Sequence, residues 1–239
     1  MKASVLAAGI GLLLSGAVDA ACERSAPAPR AVPAPGAERL SLATLNLWRL
    51  RDSERDARYD KPLPEEQVRA RLAALAEHVI ERLGRPHLLA VQEAENRVLL
   101  ERLARRLAAR GVEYEVVLRE GHDPSGIDVG LLYRAPVRVA GQDSLFDQRR
   151  RDGRYLFSRP PLRVRLDRPL PLELIVVHLR SAHGLDEPGV RDRRRAQARA
   201  LREWARSSSR PGRSLLIAGD FNSGPVDGVF GVPWRILSE

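Results

Sequence analysis

Short apolar runs alternate with longer stretches of helical periodicity between residues 40 and 220, and this alternation constrains the fold more than any other feature. Residues 40–47 alternate apolar and polar side chains and read as a strand. Residues 48–64 are charged, carry proline and read as a long loop. Over residues 65–83, Val68, Leu72, Leu75, Val79 and Leu83 recur at helical spacing, and Gly84 and Pro86 stop the helix. Residues 87–92 (HLLAVQ) read as a buried strand, and residues 97–109 as a second amphipathic helix closed by Gly111. Strands are expected at 112–118, 128–133 and 137–140, with a turn-rich loop at 121–126 and an Arg-rich loop at 141–154. Strands 161–166 and 172–178 are joined by a proline-marked turn. Residues 179–189 read as loop and residues 190–207 as an Arg-rich helix that buries Ala196, Leu201 and Trp204. Residues 214–218 form a last apolar strand ending at Gly219-Asp220. The order predicts an α/β domain with substantial mixed or antiparallel sheet.

The chain has 239 residues, 44% hydrophobic and 30% charged. This suits one domain of roughly 200 residues and excludes a disordered chain, a collagen or a disulfide scaffold. Cys22 is the single cysteine, so no intramolecular disulfide forms. The formal charge is +9, and Lys2 and Lys61 are the only lysines. An arginine excess of this kind reads in two ways. It can dress the surface in salt bridges, or it can serve an anionic partner such as nucleic acid, because Arg pairs with phosphate in bidentate geometry.

Lys2 precedes an uncharged apolar run from Ala3 to Val18, short for a bilayer span and suited to a secretory signal. Val18-Asp19-Ala20 offers small residues at the −3 and −1 positions for cleavage after Ala20. Residues 1–20 are therefore expected to be a signal peptide, and the protein secreted or periplasmic. Cys22 also fits the acylated cysteine of a bacterial lipoprotein, although Asp19 stands where such a signal carries Leu. Residues 21–38 are Ala/Pro-rich and read as an extended linker, with the domain covering 39–239. A monomer is expected.

Polar residues gather at the ends of the apolar strands. Asn46 ends the first, Gln92-Glu93 the second, His178 the strand LELIVVH, and Asp220 and Asn222 the strand SLLIAG. Any one of these could be a strand turning into solvent. Four together suggest a site held rigidly by a sheet and left open by its loops. Glu93 with Asn46 is a hard-oxygen pair suited to Mg²⁺ or Mn²⁺. His178, Asp220 and Asn222 can donate, accept and orient around a phosphate. The combination suggests metal-assisted phosphoester hydrolysis.

At these residues a resemblance enters. ATLNLW (43–48), LLAVQEAEN (88–96), SGIDVGLLYR (125–134), VVHLRS (176–181) and LIAGDFNSGP (216–225) resemble the ordered motifs of the endonuclease/exonuclease/phosphatase (DNase I-like) superfamily, most of all its secreted bacterial nuclease branch. The resemblance implies a four-layer α/β/β/α sandwich. It implies metal binding by Glu93 and Asn46, water orientation by Asp220, phosphate contact by Asn222, a hydrogen bond from His178 to a phosphate oxygen, and further phosphate contacts from Arg180 and Ser181. Asp128 and Arg134 could line the site or be structural, and His122 and Asp123 lie in a loop near it. His87 is expected to be structural and His78 solvated.

The implied activity is divalent-metal-dependent phosphodiester hydrolysis of DNA or RNA. A phospholipid or sphingomyelin phosphodiesterase is the alternative within the fold, and would call for an exposed aromatic or apolar membrane-docking loop, which the sequence does not reveal. A non-catalytic nucleic-acid-binding envelope protein is the alternative outside catalysis. The resemblance also implies a further strand and a Ser-Asp-His type motif whose Asp and His take the proton of the attacking water. No His follows Asn222 before Glu239. Without that general base, hydrolysis is expected to slow about 10²–10⁴-fold. A truncated gene product, an inactive binding relative, or replacement of the base by a residue such as His183 would each account for it.

Overall fold

Alternate residues of the central strands bury into different layers, and this sets the architecture. The computed structural model describes residues 39–184 and 186–223, all within one compact unit, Val32–Glu239. The expected signal peptide, the linker and residues 224–239 lie outside the described residues. The elements run β1 (Leu42–Leu50), α1 (Glu65–Glu81), β2 (Leu88–Ala94), α2 (Arg97–Ala108), β3 (Glu115–Leu118), β4 (Asp128–Tyr133), β5 (Arg138–Ser144), β6 (Arg150–Arg151), β7 (Arg154–Tyr155), β8 (Leu162–Arg168), β9 (Leu172–His178), α3 (Pro188–Ser208) and β10 (Ser214–Asp220).

On β2, Leu89 and Val91 pack under α1 and α2 with Val68, Leu72, Leu99 and Leu103. Their neighbours Leu88 and Ala90 point the other way and meet Leu162, Val164, Leu174 and Val176 of the second sheet. On β9, Leu174 and Val176 face that inter-sheet core, while Ile175 and Val177 face Ala200 and Leu201 of α3. Period-two alternation on two-sided strands thus yields helix, sheet, sheet, helix. The four-layer α/β/β/α expectation holds. The first sheet has the order β1-β2-β4-β3, the second β10-β9-β8-β5, and β6 and β7 form a hairpin. Truncating a core side chain such as Leu174, fully buried, costs about 2–5 kcal/mol.

Two sequence expectations are corrected. Residues 141–154 are not a loop throughout: β5 runs on to Ser144 and the β6–β7 hairpin follows. β5 is an edge strand whose polar residues are satisfied across the sheet. Asp143 accepts from Arg163 Nε (2.8 Å) and Arg165 Nη1 (2.9 Å), which lets an Arg-rich segment pair where apolar residues were expected. In α3, Ala196 and Trp204 are only partly buried, and Arg194 and Gln197 are buried instead.

Candidate active site

Parallel pairing carries the polar residues to one mouth. β1 lies beside β2 with Asn46 opposite Gln92, and β10 lies beside β9 with Asp220 opposite His178. β10 reaches this register because residue 219 is glycine. Its φ is 135°, and a Cβ there would stand 2.1 Å from the Val177 carbonyl oxygen. Glu93 reaches the mouth by another device. The β2–β4 pairing steps from Gln92↔Val129 to Ala94↔Asp128 and skips Glu93, which has φ 63°. A bulge re-aims the skipped side chain. Asn222, just past β10, also has positive φ, 50°.

The two sheets meet in the Asn46 amide. Asn46 Nδ2 donates to Glu93 Oε1 (2.9 Å), within the first sheet, and to Asp220 Oδ2 (3.2 Å), on the second. His178 Nε2 lies 3.9 Å from Glu93 Oε1 and 3.7 Å from Asp220 Oδ2. Burial, followed by the nearby Arg159 guanidinium, pushes His178 down to about 4. At neutral pH it is therefore a neutral imidazole. Its Nδ1 has no hydrogen-bond partner among the described residues. Asn222 donates its backbone N–H to Asp220 Oδ1 (2.8 Å) and its Nδ2 to the Leu179 carbonyl (3.0 Å). The structure thus brings together Asn46, Glu93, His178, Asp220 and Asn222.

Arg180 and Ser181 sit in the adjoining loop and are turned into it. Arg180 donates to the Ser181 and His183 carbonyls, both at 3.4 Å, and Ser181 Oγ accepts from His183 N (3.1 Å). Neither is bonded to the cluster at the mouth. Arg134 lies elsewhere, donating to the Arg85 carbonyl. His122 is paired with Asp147 (2.8 Å) and stacked on Tyr155, and Asp123 is ion-paired to Arg159 (3.3 Å). Asp128 is buried beneath the mouth, accepts from Gly121 N (2.9 Å) and is pushed up to about 7 by burial. His87 bonds Ser41 as a structural residue, and His78 is exposed on α1.

Sequence reasoning missed three features. Arg159 lies behind the mouth and donates to the Leu179 carbonyl (3.3 Å), with its charge acting on Glu93 and Asp220. An isolated Arg in a loop carries no sequence signal of that. The second is an acidic group, Asp56, Asp60 and Glu95, which offer one oxygen each within 4.8 Å of one another and could hold a metal ion. Glu95 stands inside the quoted LLAVQEAEN motif, so the signal was present and unread. The third is Trp48, 83% exposed, two residues from Asn46. It stands in a segment where no exposed aromatic was expected.

The layers and the polar mouth define an α/β/β/α sandwich with a site straddling both sheets. The profile of the Endonuclease/Exonuclease/phosphatase family matches residues 43–238, and the chain belongs to that family. No curated protein sequence matches at a significant level. Among solved structures, the chain is similar to a humanized D. rerio TDP2 carrying 14 mutations, at 16% identity and TM-score 0.55, over 78% of this chain and 68% of that one. It is similar to a truncated Caenorhabditis elegans TDP2, at 19% identity and TM-score 0.53, over 77% and 63%. It is also similar to a β-hairpin deletion mutant of Staphylococcus aureus beta toxin, at 13% identity and TM-score 0.56, over 84% and 73%. At these identities the likeness is one of fold. Among the described residues, no helix is long and apolar enough to cross a membrane.

Proposed function

We propose that this chain is a divalent-metal-dependent phosphodiesterase acting on nucleic acid. One observation carries the reading: two carboxylates from different sheets, Glu93 and Asp220, share the Asn46 amide beside a neutral His178. Two such carboxylates in an open mouth, with no charged imidazole to offset them, form a donor set that fits a hard divalent cation. Glu93 and Asn46 would hold Mg²⁺ (or Mn²⁺), which when bound supplies charge stabilisation to a phosphoryl oxygen.

The chain's own residues do the rest. Asp220 orients the attacking water and accepts its proton. His178, neutral and held by β9, donates a hydrogen bond from Nε2 to a phosphate oxygen in the tautomer that protonates that nitrogen. Asn222 turns its amide from the Leu179 carbonyl to the same phosphate. Water oxygen bonds to phosphorus as its proton passes to Asp220, the bond to the leaving oxygen breaks, and that oxygen takes a proton from solvent, so the products are a phosphomonoester and an alcohol. Arg180 and Ser181 flank this site and would meet the next phosphate of a strand after leaving their loop contacts. The charge of +9 supports a polyanionic substrate, whose binding weakens steeply with salt. Export through residues 1–20 to a secreted or periplasmic location belongs to the same reading.

Trp48 favours a second reading, a phosphodiesterase of lipid headgroups, because an exposed aromatic beside a site also suits a membrane surface. Incubation with plasmid DNA, single-stranded RNA and phospholipid vesicles, in Mg²⁺ or EDTA, decides between them. The expected outcome is metal-dependent nucleic-acid cleavage, lost in Glu93→Ala and in Asn222→Ala. Cleavage confined to vesicles would replace the first reading with the second. A folded chain that cleaves nothing would overturn both.

A further inference from the structure

Trp48 is held out of the protein by its own backbone. It has φ 53° and the next residue, Arg49, has φ 55°, so two consecutive residues other than glycine adopt the left-handed conformation. The pairing of β1 with β2 is irregular between Asn46 and Leu50, where this kink falls. Arg71 of α1 pins the kink with three hydrogen bonds: Nη2 to the carbonyls of Leu47 (2.7 Å) and Trp48 (2.6 Å), and Nη1 to that of Arg49 (2.8 Å). Trp48 N donates to Asn46 Oδ1 at 2.8 Å. The ring is therefore exposed, rigidly based and coupled to a residue of the mouth. A hollow of about 320 Å³ is lined by both Asn46 and Trp48 and runs on to α1.

A large apolar ring left 83% exposed forgoes the burial that normally stabilises a Trp. Strained backbone persists only where the surrounding structure over-determines it, as Arg71 does here, and it clusters at functional sites. Resting on the nucleic-acid reading above, we propose that Trp48 stacks on the base of a nucleotide adjoining the scissile phosphate. An indole face binds any base, but only one that is unpaired and free of its neighbours. The substrate class is then single-stranded nucleic acid, or an unpaired end or loop, in preference to intact duplex. The arginine-rich surface supplies backbone affinity, and the Trp supplies the choice of an unstacked base.

The test is a binding titration of the full chain in EDTA, where metal-dependent cleavage is silent. The probes are a labelled single-stranded oligonucleotide, the same strand carrying abasic residues, its duplex, and anionic phospholipid vesicles. Trp48→Ala, a change at an exposed site, should weaken binding of the normal strand about tenfold or more, and Trp48→Phe should recover most of the loss. The abasic strand should bind the parent chain about as weakly as the normal strand binds Trp48→Ala. Equal losses on normal and abasic strands, or no loss on either, would overturn the base contact while leaving the nucleic-acid reading intact. A loss confined to vesicles would overturn it in favour of a lipid surface. No binding of any strand by the parent would remove the nucleic-acid reading itself, and this inference with it.

Discussion

Glu93 and Asp128 stand on either side of one bulge and meet opposite environments. Glu93 is skipped by the β2–β4 ladder, turns into the mouth and shares the Asn46 amide with Asp220. Asp128 stays in the ladder opposite Ala94, is 5% exposed, and is pushed up to about 7 by burial, with Asp123 and Glu120 adding to the rise. One extra residue in one strand thus separates a carboxylate that reaches the mouth from a buried one. The difference is made by the backbone, not by residue type, and an acidic residue at a strand end is not by itself a ligand.

The contrast breaks most visibly in activity. On the proposed reading Glu93 holds the metal, so Glu93→Ala should lower metal-dependent phosphodiester cleavage by about 10²–10⁴-fold, measured at saturating Mg²⁺. A loss below threefold would place the metal elsewhere, with the Asp56, Asp60 and Glu95 group as the next location to examine. The next largest effect is on stability. Gly219→Ala puts a Cβ 2.1 Å from the Val177 carbonyl oxygen at φ 135°, so β10 must leave its register beside β9. A cost of about 3 kcal/mol or more is expected in chemical denaturation, with Asp220 carried out of reach of Asn46. A neutral result would show that the mouth is not set by the β9–β10 register.

The buried partner sharpens the comparison through pH. Its folded pKa of about 7 lies above the ordinary carboxylate value of 3.8. A raised folded pKa contributes stability fully below the unfolded pKa and loses it as pH rises through the folded one. Asp128→Asn lacks that titration and keeps an acceptor for Gly121 N. The parent should therefore lose stability relative to Asp128→Asn by up to a few kcal/mol between about pH 4 and pH 7, read from urea midpoints. The same difference at pH 5 and pH 8 would refute burial as the cause. His178 acts in the opposite direction in both chains: its depressed pKa removes stability as pH falls from about 6.5 to about 4. It cancels in the difference.

These contrasts also mark how far the sequence could be read. Val68, Leu72 and Val79 announced α1 by their spacing, and LELIVVH announced β9 to the residue, because burial is written directly in apolar periodicity. Asn46, Glu93, His178, Asp220 and Asn222 were legible because each ends an apolar run. Their convergence was not, since it depends on a bulge at Glu93, a left-handed Asn222 and a glycine at 219 that any turn could carry. Arg159 and Trp48 were invisible for a related reason. One is buried and the other displayed by contacts far away in the sequence, with Asp123 and with Arg71.

The smallest expected effect lies where the chain leaves the bulge. Asn96 caps α2, accepting from Leu99 N at 2.9 Å, and its Nδ2 donates to Asp52 at 2.8 Å, which ties the loop after β1 to the end of β2. Asn96→Ala removes both bonds and should cost about 1 kcal/mol, with the upper range near 2 kcal/mol. Asn96→Asp keeps the capping oxygen and replaces the donor with a second carboxylate facing Asp52, a residue already acting on Glu95. If the cap alone matters, Asn96→Asp is as stable as the parent. If the tie to Asp52 matters, it falls at least as far as Asn96→Ala. Thermal melts of the parent and the two variants therefore separate the helix start from the loop anchor at the one residue that serves both.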